Sequence, residues 1–140
     1  MPVEPGLQAR IEHVVSEADT AIAVGSGDVP VLATPRLVAL AEAATLAAVR
    51  AALPDGTTTV GTRVDVEHLR ASGVGDRVVV HAVVTEVSGT EVSGTEVDVR
   101  TLRFAVTATG PAGDELLRGE VVRAVVDRER FLARLYRSRP

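Results

Sequence analysis

From Thr34-Pro35 to about Leu53 the chain is apolar on nearly every helical face, and a single carboxylate, Glu42, interrupts it. Thr34 predicts an N-cap, Pro35 the first helical position and Pro54-Asp55-Gly56 the stop. A helix that is apolar all round does not rest on a surface; it has to be wrapped by other structure. Its longest apolar run, Leu37 to Val49, is broken by Glu42 and Thr45. That is too short for a bilayer span, which needs about 20 residues.

The wrapping must come from strands. Leu7 to Val24 reads as extended, and Gly25 to Pro30 as a loop. After the helix, Thr58 to His68 alternates, with Val60, Val64, Val66 and His68 against Arg63, Asp65 and Glu67. Arg77 to Val87 is a Val-rich run. Val97 to Ala108 alternates with a phase slip that predicts a β-bulge near Arg100-Thr101. Glu115 to Val126 is the last strand, and Asp127 caps a short helix, Arg128 to about Tyr136, with Phe131, Leu132 and Leu135 on one face. Strands joined by short connections are antiparallel. The expected class is therefore α+β: one domain, 1–140, with one curved antiparallel sheet around a long central helix and a short C-terminal helix. A lone sheet has open edges, so a homodimer is expected. Within 85–97 the unit Thr-Glu-Val-Ser-Gly occurs twice in tandem and its first three residues recur. It reads as a duplication in a tolerant hairpin.

Composition narrows the function. Aromatics are 2% of the chain, only Phe104, Phe131 and Tyr136, so platforms for stacking bases are missing. All 15 basic residues are Arg, which removes Schiff-base and phosphate-loop lysines. The net charge of −4, with no basic block, argues against nucleic acid as a partner. Cysteine is absent, so thiolate nucleophiles and Cys-type zinc sites are excluded. The three histidines are dispersed and form no metal-binding spacing; no metal and no cofactor are expected. The first residues, Met-Pro-Val-Glu-Pro-Gly, lack the pattern of a signal peptide. The expectation is a cytoplasmic protein with no membrane partner.

Three residues stand out chemically. Glu42 has apolar neighbours in nearly every direction, and a buried carboxylate implies a use. His68 shares a strand face with Val64 and Val66 and ends the strand. Thr34 sits at a helix start, where partial positive charge suits a developing oxyanion. Gly61 interrupts the same strand, as a bulge or as a close approach of backbone to ligand. His13 and His81 read as structural, with no acidic or hydroxyl partner that can be placed beside them.

Ala33-Thr34-Pro35, Leu40-Ala-Glu42-Ala and Val60-Gly61-Thr62-Arg-Val-Asp-Val-Glu-His68 together resemble the hot-dog thioesterases of the fluoroacetyl-CoA thioesterase type. The resemblance runs from about Val29 to Val84 and resumes over Gly119 to Phe131. It implies a catalytic set of Thr34, Glu42 and His68, with Gly61 beside the acyl pocket. It also implies a coenzyme A thioester substrate and a homodimer with active sites at its interface. The fluoroacetyl-specific enzymes carry phenylalanines ahead of the Thr; this chain has Gly25-Ser-Gly-Asp-Val-Pro30, with no aromatic gate. Arg36, Arg70 and Arg123 are candidates for the coenzyme A phosphates. The expected function is hydrolysis of a small acyl-CoA. A non-catalytic acyl-CoA-binding module is the alternative, and an enoyl-thioester hydratase ranks last because its Asp/His pair is not visible.

Overall fold

The computed structural model describes residues 2–89 and 100–137. Among these residues five strands form one antiparallel sheet in the order β1-β3-β4-β5-β2: β1 Gln8–Val14, β2 Thr57–His68, β3 Arg77–Ser88, β4 Thr101–Thr109 and β5 Glu115–Asp127. Helix α1 is Ala21–Val24, α2 is Thr34–Val49 and α3 is Arg128–Arg137. The hot-dog arrangement follows from the residues. On β3, Val78, Val80, Ala82 and Val84 are buried while their neighbours are not; on β4 the same holds for Leu102, Phe104, Val106 and Ala108. That period of two turns one sheet face onto α2, whose Leu37, Leu40, Ala41, Ala44 and Val49 complete the core. Each large side chain removed from water here contributes about 1.5–3 kcal/mol. Among the described residues no helix is long and apolar enough to cross a membrane.

The structure departs from the sequence expectation in several places. Residues 17–19 and 21–24 are helical, not extended; Thr20 between them keeps an extended backbone and bridges Leu32. The Asp19 carboxylate accepts from the Ser16 amide at 2.7 Å, half of a capping box, and starts a 3₁₀ turn over Glu17–Asp19. Thr20 Oγ1 then accepts from the Ala23 amide, and Gly25, with φ +88°, ends α1. Thr34 is not the N-cap of α2. Ala33 holds that position, with extended backbone, and Thr34 is already helical. The α-helix stops at Val49 and continues as 3₁₀ over Arg50–Ala52.

Nor is α2 wrapped on all sides: Pro35, Ala39, Ala43 and Ala47, four apart, form an exposed stripe. Strand β2 is a sheet edge, and its Val64 is 39% exposed. The described part of β4 begins at Thr101; the register shifts of the β3–β4 and β4–β5 pairs lie at Val84/Glu86 and Ala108/Thr109, away from Arg100-Thr101. From residue 90 to 97 the tandem repeat lies outside the described residues.

Candidate active site

Two short stretches of sequence build the first half of the site. Thr34 opens α2 and His68 closes β2. Thr34 Oγ1 lies 2.7 Å from His68 Nδ1, a full hydrogen bond. Because Ala33 serves as the cap, the Thr34 hydroxyl makes no capping bond and is available to the imidazole. Burial pushes the His68 imidazolium pKa down from its ordinary value, opposed in part by the nearby Arg70 backbone. A neutral ring that accepts at Nδ1 carries its proton on Nε2, which is buried and has no hydrogen-bond partner among the described residues.

The pair borders a cavity of about 350 Å³, walled by small apolar groups that include Ala21, Gly27, Val29 and Leu32. The segment ahead of Thr34 covers it. Leu32 N donates to Ser72 O at 2.8 Å and Ala21 N to Val31 O at 2.8 Å, stitching this cover to the 69–73 loop and to α1. Arg70 lies at the same cavity and is exposed.

Glu42 belongs to a second cluster. Its Oε2 lies 3.1 Å from Arg123 Nη1. Arg123, on β5, is only 7% exposed. It donates from Nε to Thr59 Oγ1 at 2.8 Å and from Nη2 to Thr59 O at 2.9 Å. Burial pushes the Arg123 pKa down, and the charge and hydrogen bond of Glu42 hold it up. Gly61 faces this ion pair: a Cβ there would overlap Glu42 Oε2. The strand also bulges between Gly61 and Arg63. The expected bulge is therefore present, and the close approach at Gly61 is to the Glu42 carboxylate.

Thr34, Glu42 and His68 are not one cluster within the chain. Glu42 lies eight residues beyond Thr34 on α2, about 12 Å along the axis. Nor is Arg123 a surface phosphate binder, since its guanidinium is buried and all three nitrogens are engaged. Arg36 is tied to Asp19, with Nε 2.8 Å from Oδ1. His13, expected to lack an acidic partner, lies 2.7 Å from the same carboxylate. Asp19 and Thr59 are not among the residues that the sequence singles out. The Ser16-x-x-Asp19 spacing was the available signal for Asp19; nothing local marked Thr59. His81 bonds Gln8 at the surface, at 2.7 Å. Among the described residues no three potential metal ligands converge.

A family model described as FlK, fluoroacetyl-CoA-specific thioesterase, matches residues 15–129. A solved structure of the fluoroacetyl-CoA thioesterase FlK is 27% identical over 100% of both chains, with a TM-score of 0.86. A FlK variant solved with fluoroacetate and CoA is also 27% identical, covering 92% of this chain and 99% of that one, with a TM-score of 0.78. A thioesterase-superfamily member from Thermus thermophilus shares the fold at 24% identity, over 97% of this chain and 93% of that one, with a TM-score of 0.83. No curated protein sequence matches significantly.

Proposed function

The chain belongs to the fluoroacetyl-CoA-specific thioesterase family and is a thioester hydrolase, and we propose that it cleaves a short aliphatic acyl-CoA with Thr34 and His68 as the reacting pair. The observation that carries this is the 2.7 Å contact between Thr34 Oγ1 and His68 Nδ1 beside the cavity. A hydroxyl hydrogen-bonded to a neutral imidazole is an activated nucleophile. His68 Nδ1 takes the Thr34 proton as Oγ1 attacks the thioester carbonyl carbon. The C–S bond then breaks, the thiolate leaves with that proton, and water activated by His68 hydrolyses the acyl ester. The small, apolar cavity wall supports a short acyl group. Arg70 meets a coenzyme A phosphate, a role supported by its exposure at the cavity, and the domain 1–140 acts as one unit.

Glu42 and Arg123 form a charged half-site that meets the Thr34–His68 pair across a homodimer interface. The exposed stripe on α2 and the open edge of β2 support such a dimer. A second reading makes Glu42 the attacking group or the base for water. It is favoured by Gly61, whose missing side chain leaves room at Glu42 Oε2. Against it stands the ion pair with Arg123, whose charge-assisted hydrogen bond occupies Glu42 Oε2 and would have to open for attack.

The test is thiol release from a panel of short, branched, aryl and fluorinated acyl-CoAs. Thr34→Val and His68→Ala are each expected to lose at least about 10²-fold in kcat. Acyl-enzyme mass should map to Thr34. An adduct, or labelled oxygen, on Glu42 moves the attack to the second reading. Undiminished turnover in Thr34→Val and His68→Ala removes the first.

A further inference from the structure

Asp19 bonds neither the Thr34 nor the His68 side chain, yet it is the most heavily bonded carboxylate among the described residues. It is 4% exposed. Its Oδ2 accepts from the Ser16 amide at 2.7 Å and the Ser16 hydroxyl at 3.0 Å, and contacts His13 Nε2 at 2.7 Å. Its Oδ1 accepts from Arg36 Nε at 2.8 Å, and its backbone carbonyl accepts from the Ala33 amide at 2.9 Å. Ala33 and Arg36 flank Thr34 in the chain, one as the cap of α2 and one in its first turn. Asp19 also ends the 3₁₀ turn that leads into α1 and so into the cover of the cavity.

We propose that Asp19 is a positioning residue for the reaction: it clamps the first turn of α2 from both sides of Thr34 and so sets the Thr34 hydroxyl against His68. This rests on Thr34 being the reacting hydroxyl. The clamp has a physical reason to exist. Ala33 cannot cap a helix with its side chain, and Pro35 brings no N–H to the first turn. Without side-chain capping, the helix start takes its orientation from outside the helix, and Asp19 supplies it through one backbone and one side-chain bond. A carboxylate is required because both of its oxygens accept. The Asn amide offers only one acceptor oxygen, so it leaves either Arg36 or the Ser16 and His13 donors facing an NH₂ group. The negative charge near a helix N-terminus is also favourable in itself.

The test is Asp19→Asn, compared with Val80→Ala, a buried β3 variant that makes none of the clamp's side-chain hydrogen bonds and controls for stability loss alone. Both are assayed well below their unfolding temperatures. Asp19→Asn is expected to lower kcat about 10- to 100-fold, as expected for a misplaced reacting group, with KM for the acyl-CoA changed less than about threefold. Val80→Ala should leave kcat within about twofold. Independently of turnover, the His68 Nδ1 signal in ¹⁵N NMR should move in Asp19→Asn toward that seen in Thr34→Val, reporting loss of the hydrogen bond. An unchanged kcat and an unchanged His68 signal in folded Asp19→Asn overturn the inference, and a kcat loss matched by Val80→Ala does the same. If Thr34→Val retains full turnover, the assignment of Thr34 falls, and the role of Asp19 falls with it. If Thr34→Val is inactive while Asp19→Asn is not, only the role of Asp19 is lost.

Discussion

Replacing Gly61 by Ala tests how Glu42 is held. The added Cβ would fall on Glu42 Oε2 and 3.4 Å from Arg123 Nη1. Gly61 is not among the glycines with positive φ, so an alanine there brings no backbone strain. The carboxylate ends a flexible side chain and can swing aside, but doing so breaks its 3.1 Å pair with Arg123. Removing one partner of a fully buried pair costs about 3–5 kcal/mol, and an exposed pair is worth about 0–1 kcal/mol. The Glu42 side chain is 35% exposed and that of Arg123 9%, so screening places the loss near the lower bound, about 1–2 kcal/mol. At this chain length that is a fall in Tm of about 5 °C. Glu42→Ala should cost a similar amount. In the Glu42→Ala background the methyl at 61 displaces nothing, so Gly61→Ala should then cost less than about 0.5 kcal/mol, a coupling of about 1 kcal/mol. Thermal and urea unfolding of the four proteins, at one protein concentration, measure the cycle. Additive losses within about 0.3 kcal/mol would refute the contact as the reason for glycine at 61.

Three further outcomes are expected. His68 titrates below 6.5 in the folded protein, so kcat/KM should hold at neutral pH and fall only as the pH drops below that value. The unfolded chain takes up this proton first, so the stability contribution is present above pH 6.5 and declines below it; His68→Gln should remove that slope. For Asp19, burial pushes the carboxyl up, but the Ser16 amide, His13, Arg36 and the Ser16 hydroxyl together hold it well below the ordinary carboxylate range of about 3.8. Its contribution is therefore complete above that value and lost as the pH falls below it, and Asp19→Asn should flatten the acid limb of a stability–pH curve. Ala47→Arg, on the exposed α2 stripe, should yield a monomer by light scattering with loss of turnover; an active dimer would exclude that stripe from the interface.

The sheet and its helix were legible because their signals are periodic and long. Val78 to Val84 and Leu102 to Ala108 alternate over four buried positions each, and no local chemistry competes with that pattern. Residues 17–19 and 21–24 were not, because Val14 and Val15 carry an apolar pattern toward a segment that the Asp19 and Thr20 side chains turn helical. Thr34, Gly61 and His68 could be picked out by residue type and position. Their grouping could not, since spacing along a chain does not say which face of β2 meets which turn of α2. Arg123 shows the limit most clearly. An arginine in an alternating strand reads as surface charge, and only the fold places Thr59 and Glu42 where they satisfy a buried guanidinium.

Thr34 satisfies its local signal and its observed role in different ways. A threonine before proline is a good helix cap, but a cap must stand outside the helix with its oxygen turned onto the first-turn amides. Thr34 stands one residue further in, and its oxygen is turned to His68. Ala33, a poor cap, takes the position instead, at a cost of about 0.5–2 kcal/mol relative to a capping side chain. That loss falls on the helix end that carries Thr34, whereas the neighbouring α1 begins with a threonine that does cap, Thr20. The Asp19 carbonyl on the Ala33 amide offsets part of it from outside the helix. A helix start built this way is less stable locally than the sequence allows, and the hydroxyl it releases is the one that His68 holds.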